Sequence, residues 1–403
     1  MDRSNQSERR DVAPSPGPDR RSRMLETGAI IEWLVSDACA ALDEAALLMK
    51  LGSKLSPAGV DRLGLFLHML DPELVGRSIL CSPGGDIETR DWRHDQPASA
   101  NPIRIAVNER RSMRLRLDDP RYPEGIHHEA FGKHGITELS ISPLLGAGGA
   151  IGAVVFATSR TSGFTTEESE IFRQIVPALR AVCEIRALRQ SGTNLMDTYI
   201  GPVTSKRILA GHIRRGDVEK LEAALLLCDL RDFTALSNRL SEAEALQTLN
   251  IYFDQIIPAI ESAGGEILKF MGDAVLAFFG READPAVSCK LAFGAACDAL
   301  ERLDAIVMPD GDLNAGIALH HGTVSYGNIG SGHRLDFTMI GPDVNLVSRI
   351  QDFCATTGER LLMSARFARM LGRDDVYSIG HFPLKGFEQR QYLFAWYEHG
   401  SVP

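Results

Sequence analysis

Apolar positions along the chain fall into stretches of helical and strand period. Between residues 25 and 50, Ile30, Ile31, Leu34 and Val35 recur at helical spacing, so a helix is expected there. Residues 55–160 mix helix-like and strand-like patterns, punctuated by the turn signals Ser82-Pro83-Gly84-Gly85 and Gly146-Ala147-Gly148-Gly149. The run AIGAVVFATS over 150–159 reads as a buried strand. Thr165 and Glu168 then have capping-box spacing. A helix should follow, running to about Gln190, with Pro177 as a candidate kink. Ile171, Ile175, Ala178, Val182 and Ile185 step by four and three along it. That stripe suits either a short parallel dimer seam or a helix packed on its own domain.

Residues 191–220 carry two Gly-containing breaks and a basic run, a shift in composition that marks a domain boundary and linker. Downstream the pattern predicts strand 221–229, helix 240–262, hairpin 266–279, helix 284–305, strands 312–320, 323–329 and 334–340, helix 342–356, a short helix 364–371, and strands near 376–383 and 391–397. A βαββαβ order with crossover helices implies an α/β (α+β) sandwich of ferredoxin-like type, helices against one sheet.

Composition narrows the function classes. With 403 residues the chain has room for two to three domains. Apolar content of 44% and charged content of 24% are those of an ordinary globular protein. A net charge of -10 disfavours nucleic acid and anionic membrane surfaces as partners. The seven cysteines are scattered, without metal-ligand spacing, and are expected as reduced thiols. No apolar run reaches the roughly 20 residues that span a bilayer. Residues 1–24 lack an apolar core and read as a disordered tail, not a signal peptide, which makes the cytoplasm the default expectation.

Two acids stand out against this background. Asp229 closes the apolar run LEAALLLCDL, and Asp273 sits within EILKFMGDAVLAFF, forty-four residues on. A carboxylate at the edge of a greasy strand is costly unless it is paired or holds a metal. Two of them at the mouth of one sheet would make an oxygen-ligand site for a hard cation such as Mg2+. The plainer alternative is that each is a turn or cap acid.

Five co-linear blocks carry a resemblance: CDLRDFTALS (228–237), GGEILKFMGDAVLAFF (264–279), GIALHHGTVSYGNIGS (316–331), RLDFTMIGPDVNLVSRI (334–350) and FPLKG (382–386). Over roughly 205–400 the chain resembles the catalytic domain of the class III nucleotidyl cyclases. The resemblance implies that Asp229, Asp273 and the backbone carbonyl of Leu230 hold two Mg2+ ions, with Mn2+ as a substitute. Such ions promote attack of the ATP 3′-hydroxyl on its own α-phosphate. Backbone amides around Phe233 and Thr234, leading into the next helix, would hold the triphosphate. Lys269 and Thr338 would read the purine, a combination similar to that of a bacterial adenylate cyclase subclass. Glu–Cys would mark a guanylate cyclase. Asn345 resembles the residue that orients the ribose and Arg349 the one that meets the α-phosphate in the transition state. Lys385 resembles a contact to the terminal phosphates.

Some positions depart from the family pattern. Thr323 stands where animal cyclases carry a triphosphate arginine, and Asp336, two residues before Thr338, is read as structural. In the family, metal acids come from one protomer and purine readers, Asn and Arg from its neighbour. One chain carries all of them, so a head-to-tail homodimer is implied. The expected activity is conversion of ATP to cyclic AMP. A guanylate or mixed-purine cyclase and a catalytically silent signalling module are the alternatives. A diguanylate cyclase would need GGDEF at the hairpin, which reads FMGDAV.

Residues 25–190 form the expected N-terminal domain. Its ending, SPLLGAGGAIGAVVFATSRTSGFTTEESEIFRQI, resembles the last strands and closing helix of a GAF domain. Such domains bind small molecules or simply dimerise, so either a small-molecule ligand or a dimer contact is implied. Residues 191–220 would couple this unit to the catalytic domain at 221–403.

Overall fold

The computed structural model describes residues 20–71, 74–82, 85–94, 102–119, 131–280, 284–308, 313–332 and 334–397. Of the expected tail, 1–19 lies outside the described residues; a helix already begins at Arg20. The chain divides into two compact units, Met1–Leu195 and Met196–Pro403.

In the first unit the helices are α1 (Arg20–Leu34), α2 (Asp37–Ala40), α3 (Glu44–Leu55), α4 (Pro102–Asn108) and α5 (Thr166–Ile200). The strands are β1 (Arg62–His68), β2 (Leu74–Cys81), β3 (Ile87–Arg93), β4 (Met113–Arg116), β5 (Glu138–Gly146) and β6 (Gly149–Thr158). They make one antiparallel sheet in the order β3-β2-β1-β6-β5-β4. Leu47, Leu51 and Leu55 of α3 and Phe172, Ile175 and Leu179 of α5 cover one face. Ala106 and Val107 of α4 cover the other with Phe131 and Ile136.

Helix α5 starts at the expected capping box. The Glu168 amide donates to Thr165 Oγ1 (3.2 Å) and the Thr165 amide to Glu168 Oε2 (2.8 Å). It runs to Ile200, ten residues past the expected end, and breaks only at Gly201, whose φ of +82° and following Pro202 end it. Its buried stripe is Phe172, Ile175, Leu179 and Cys183, so the helix packs on its own domain. Ile185, at the end of the expected seam, is 69% exposed, and Leu188, Leu195 and Tyr199 continue an uncovered line.

The second unit holds α6 (Pro202–Leu209), β7 (Val218–Leu230), α7 (Phe233–Ser237), α8 (Glu242–Ser262), β8 (Glu266–Met271), β9 (Ala274–Phe279) and α9 (Pro285–Asp304). It continues with β10 (Ala315–Ser331), β11 (Arg334–Ile340), α10 (Pro342–Thr357), β12 (Leu361–Ser364), α11 (Ala365–Leu371), β13 (Val376–Phe382) and β14 (Gln391–Trp396). The sheet order is β13-β14-β12-β10-β7-β9-β8, with β11 paired to β10. Only β10 and β12 run parallel among these pairs.

Central strand β7 is buried on both faces. Ala224, Leu226, Cys228 and Leu230 meet α8 and α9, while Ala223, Leu225 and Leu227 meet α10. Helices therefore cover both faces of the sheet. Sequence pattern also split β10 into two strands and passed over β12, a four-residue strand hidden between helices. Gly322 does not break β10; it makes room for Asp343, whose Cγ would lie 2.2 Å from a Cβ at that position. The later half of the expected linker packs on the second unit. Thr204 Oγ1 and Tyr326 Oη share a hydrogen bond (2.9 Å), Arg207 pairs with Glu219 (2.7 Å), and Asn328 Nδ2 donates to the His212 carbonyl (2.8 Å).

Candidate active site

The two acids are brought together by strand register. Cys228 of β7 pairs with Val275 of β9, so the end of β7 lies beside the β8–β9 turn. That turn is two residues, Gly272 and Asp273, closed by the Met271–Ala274 pair. Gly272 takes φ +71°, which a hairpin turn of this length needs and glycine supplies cheaply. Asp273 thus projects from the hairpin tip. Asp229 follows the parity of Leu225 and Leu227 and emerges on the face covered by α10, where the apolar run stops.

The Asp273 carboxyl is close enough to act on that of Asp229. Burial, then the Asp273 charge, push Asp229 up to about 6. Gln351 Nε2, from α10, donates to Asp229 Oδ2 at 3.2 Å. Two facing, partly desolvated carboxylates are a donor set that a hard cation would relieve. Among the described residues no group of three or more His, Cys, Asp or Glu forms a metal cage. A pair is what Mg2+ uses when phosphates and water complete its shell. Leu230 ends β7, its strand locked by the Arg231 amide donating to the Asn314 carbonyl (2.8 Å).

Phe233 and Thr234 begin α7, a single five-residue turn. Its N-cap, Asp232, adopts a left-handed φ of +56° and no side chain caps the turn. Phe233 packs on the core and Thr234 is exposed.

Lys269 lies on β8 just after a bulge between Ile267 and Lys269. Its Nζ donates to Asp336 Oδ2 at 3.1 Å. Asp336 and Thr338 alternate by two on β11 and so share a face. Register two apart places Asp336 beside Thr338, and it holds Lys269. Thr338 is buried, and its Oγ1 has no hydrogen-bond partner among the described residues.

Asn345 and Arg349 occupy the outward side of α10, with Leu346, Val347 and Ile350 inward. Asn345 is exposed, and Arg349 Nη1 is held by Asp352 Oδ2 at 2.7 Å. Lys385 is exposed in the β13–β14 loop.

The start of α10 is fixed by a buried network that sequence reading missed. His320 Nδ1 and Ser364 Oγ share a hydrogen bond (2.7 Å), and His320 Nε2 meets Asp343 Oδ1 (3.0 Å). The Thr323 amide donates to Asp343 Oδ2 (2.8 Å). The His320 bond holds the Asp343 carboxyl below the usual range.

Residues 218–395 match the family model of the adenylate and guanylate cyclase catalytic domain, and residues 37–180 match the GAF domain. An adenylate cyclase of Anabaena cylindrica is 31% identical over 174 residues, 42% of this chain and 34% of that protein. Adenylate cyclase 1 of Rhizobium meliloti is 30% identical over 167 residues, 40% of this chain and 25% of that one. The chain thus spans about a third or less of these relatives' length. A bacterial light-regulated adenylyl cyclase structure aligns at TM-score 0.47 with 21% identity, over 54% of this chain and 62% of that chain. A guanylyl cyclase structure aligns at 0.39 with 28% identity, over 44% and 92%. The two family matches give the chain an adenylate/guanylate cyclase catalytic domain preceded by a GAF domain. In particular, this chain carries the adenylate/guanylate cyclase family's catalytic domain, with relatives that are adenylate cyclases. No helix among the described residues is long and apolar enough to cross a membrane.

Proposed function

We propose that the chain converts ATP to 3′,5′-cyclic AMP and pyrophosphate at the interface of a head-to-tail homodimer, under control of its N-terminal domain. The observation that carries this reading is the facing of Asp229 and Asp273 across the end of β7 and the β8–β9 turn.

Asp229, Asp273 and the Leu230 carbonyl would hold Mg2+, which supplies acidification of the 3′-hydroxyl and neutralisation of phosphate charge. The chain's own residues do the rest. Phe233 and Thr234 border the triphosphate. Lys269, oriented by Asp336, donates to the purine edge, and Thr338 Oγ1, without a hydrogen-bond partner among the described residues, is available to the base. Asn345 orients the ribose. Arg349, exchanging Asp352 for substrate, meets two oxygens of the α-phosphate as charge builds there. Lys385 reaches the terminal phosphates. A second copy supplies Asn345 and Arg349 to the acids of the first, giving two equivalent sites per dimer.

Adenine is favoured over guanine because Lys269, Asp336 and Thr338 form a polar set of Lys–acid–hydroxyl type, and the named relatives are adenylate cyclases. The test is purified full-length chain with ATP or GTP and Mg2+ or Mn2+, beside an Asp273→Ala control. Cyclic AMP from the wild type alone supports the reading. Cyclic GMP in its place moves the chain to the guanylate class, and no cyclic product with either metal leaves a silent signalling module.

A further inference from the structure

The Gln351 side chain has no assigned role, yet its place is built. It reaches Asp229 from α10 with Nε2 donating to Oδ2 at 3.2 Å. The approach depends on Gly316, the residue paired with Asp229 across β7 and β10. A Cβ at Gly316 would lie 3.0 Å from the Cys354 Cβ and 3.7 Å from Gln351 Nε2, so glycine lets α10 sit close over the strand end. A second tie fixes the same contact. Arg231, two residues after Asp229, donates through Nη1 to the Gly358 carbonyl (3.1 Å) and through Nη2 to the Cys354 (3.2 Å) and Glu359 (2.5 Å) carbonyls. It clamps the C-terminal end of α10, where a cation is favoured by the helix dipole, to the end of β7.

We propose that Gln351 is a positioning residue that fixes the Asp229 carboxylate for metal from within the same protomer. The inference rests on the cyclase reading above. Gln suits the role because it donates one hydrogen bond while adding no charge beside two facing carboxylates. A carboxylate there would repel Asp229 unless protonated or itself bound to the ion. Held by Gln351, Asp229 keeps its second oxygen for the ion. Released, it is free to turn toward solvent, and metal must pay the ordering cost. The helix that fixes the acid of one site also presents Asn345 and Arg349 to the other, so the effect of Gln351 is tied to one identified chain of the dimer.

The test uses full-length protein and Gln351→Met, which keeps length and volume but donates no hydrogen bond. Mn2+ binding is read by electron paramagnetic resonance with 3′-deoxy-ATP, which lacks the attacking hydroxyl. The expected result is about tenfold weaker Mn2+ binding. The Mg2+ concentration for half-maximal rate should rise similarly, with KM for ATP at saturating metal little changed. Side specificity comes from mixed dimers of Asp273→Ala and Arg349→Ala chains, in which one intact site remains. Gln351→Met on the Arg349→Ala chain, which donates the acids, should raise the Mg2+ requirement. The same change on the Asp273→Ala chain should not. Equal effects from both chains, or unchanged Mn2+ binding with unchanged Mg2+ requirement, overturn the proposal. A wild type that makes no cyclic nucleotide instead sinks the cyclase reading on which it rests.

Discussion

Lys269 and Asp336 are joined across β8 and β11, Nζ to Oδ2, at 3.1 Å. The pair is largely exposed, at 35% and 64% of the two side chains, so its contribution to stability is small, within about 0.5 kcal/mol. Its expected role is orientation. Asp336→Asn should leave Tm nearly unchanged while KM for ATP rises roughly fivefold, the factor that about 1 kcal/mol brings. Lys269→Glu should erode preference for ATP over GTP. Steady-state kinetics with both nucleotides check this. A change in Tm without a change in selectivity would return Asp336 to a structural role.

A pH dependence follows from Asp229, whose carboxyl is pushed up to about 6 by burial and by Asp273. In the unfolded chain it titrates near the ordinary Asp value of about 3.9. Between these values the folded state binds more protons than the unfolded one, so stability falls as pH rises through roughly 4 to 6. Metal-free protein should therefore lose Tm across that window on this account, relative to Asp229→Asn, which carries no titrating group there. Added Mg2+ at pH 7.5 should raise the wild-type Tm and leave that of Asp229→Asn nearly unmoved. Thermal scans with and without Mg2+ decide it.

The network of Ser364, His320, Asp343 and the Thr323 amide fastens the first turn of the helix that carries Asn345 and Arg349. Asp343→Ala leaves the Nε2 side of the buried His320 imidazole without its partner, at a cost of about 1–3 kcal/mol. Chemical denaturation should show that loss, and kcat should fall because the helix start is released. Asp343→Asn, which keeps an acceptor for the Thr323 amide, should retain more of both. Equal stability of all three proteins would remove the network from the account.

Control by the N-terminal unit predicts that deleting residues 1–190 changes basal rate, dimerisation or both. Ile185 and Leu188 are exposed at 69% and 67% on α5. Ile185→Asp with Leu188→Asp should weaken full-length dimers if this line is covered by a second copy. Sedimentation and basal turnover read both. Unchanged values for deletion and double substitution together would exclude regulation through this segment.

Much of this was legible in the sequence where one residue signals one local rule. The Thr165–Glu168 box, the two-residue Gly272–Asp273 turn and the doubly apolar strand before Asp229 each need only neighbours to read. What escaped depends on contacts far along the chain. Gln351 and Asp229 are 122 positions apart and Lys269 and Asp336 are 67 apart, so periodicity within either element is silent about them. The end of α5 was misplaced because Ser191 and Gly192 suggest a break, whereas an isolated Gly costs a helix only about 1 kcal/mol. β12 escaped because Leu361–Ser364 is too short to show an alternation.

One measurement probes the shared two-carboxylate site most directly: complementation between an Asp273→Ala chain and an Arg349→Ala chain, each purified, mixed and allowed to exchange. Each alone should make almost no cyclic AMP from ATP and Mg2+. Equal mixing should restore about a quarter of wild-type activity, because half the dimers are mixed and each holds one intact site of two. Two inactive proteins that stay inactive after proven subunit exchange would contradict the account.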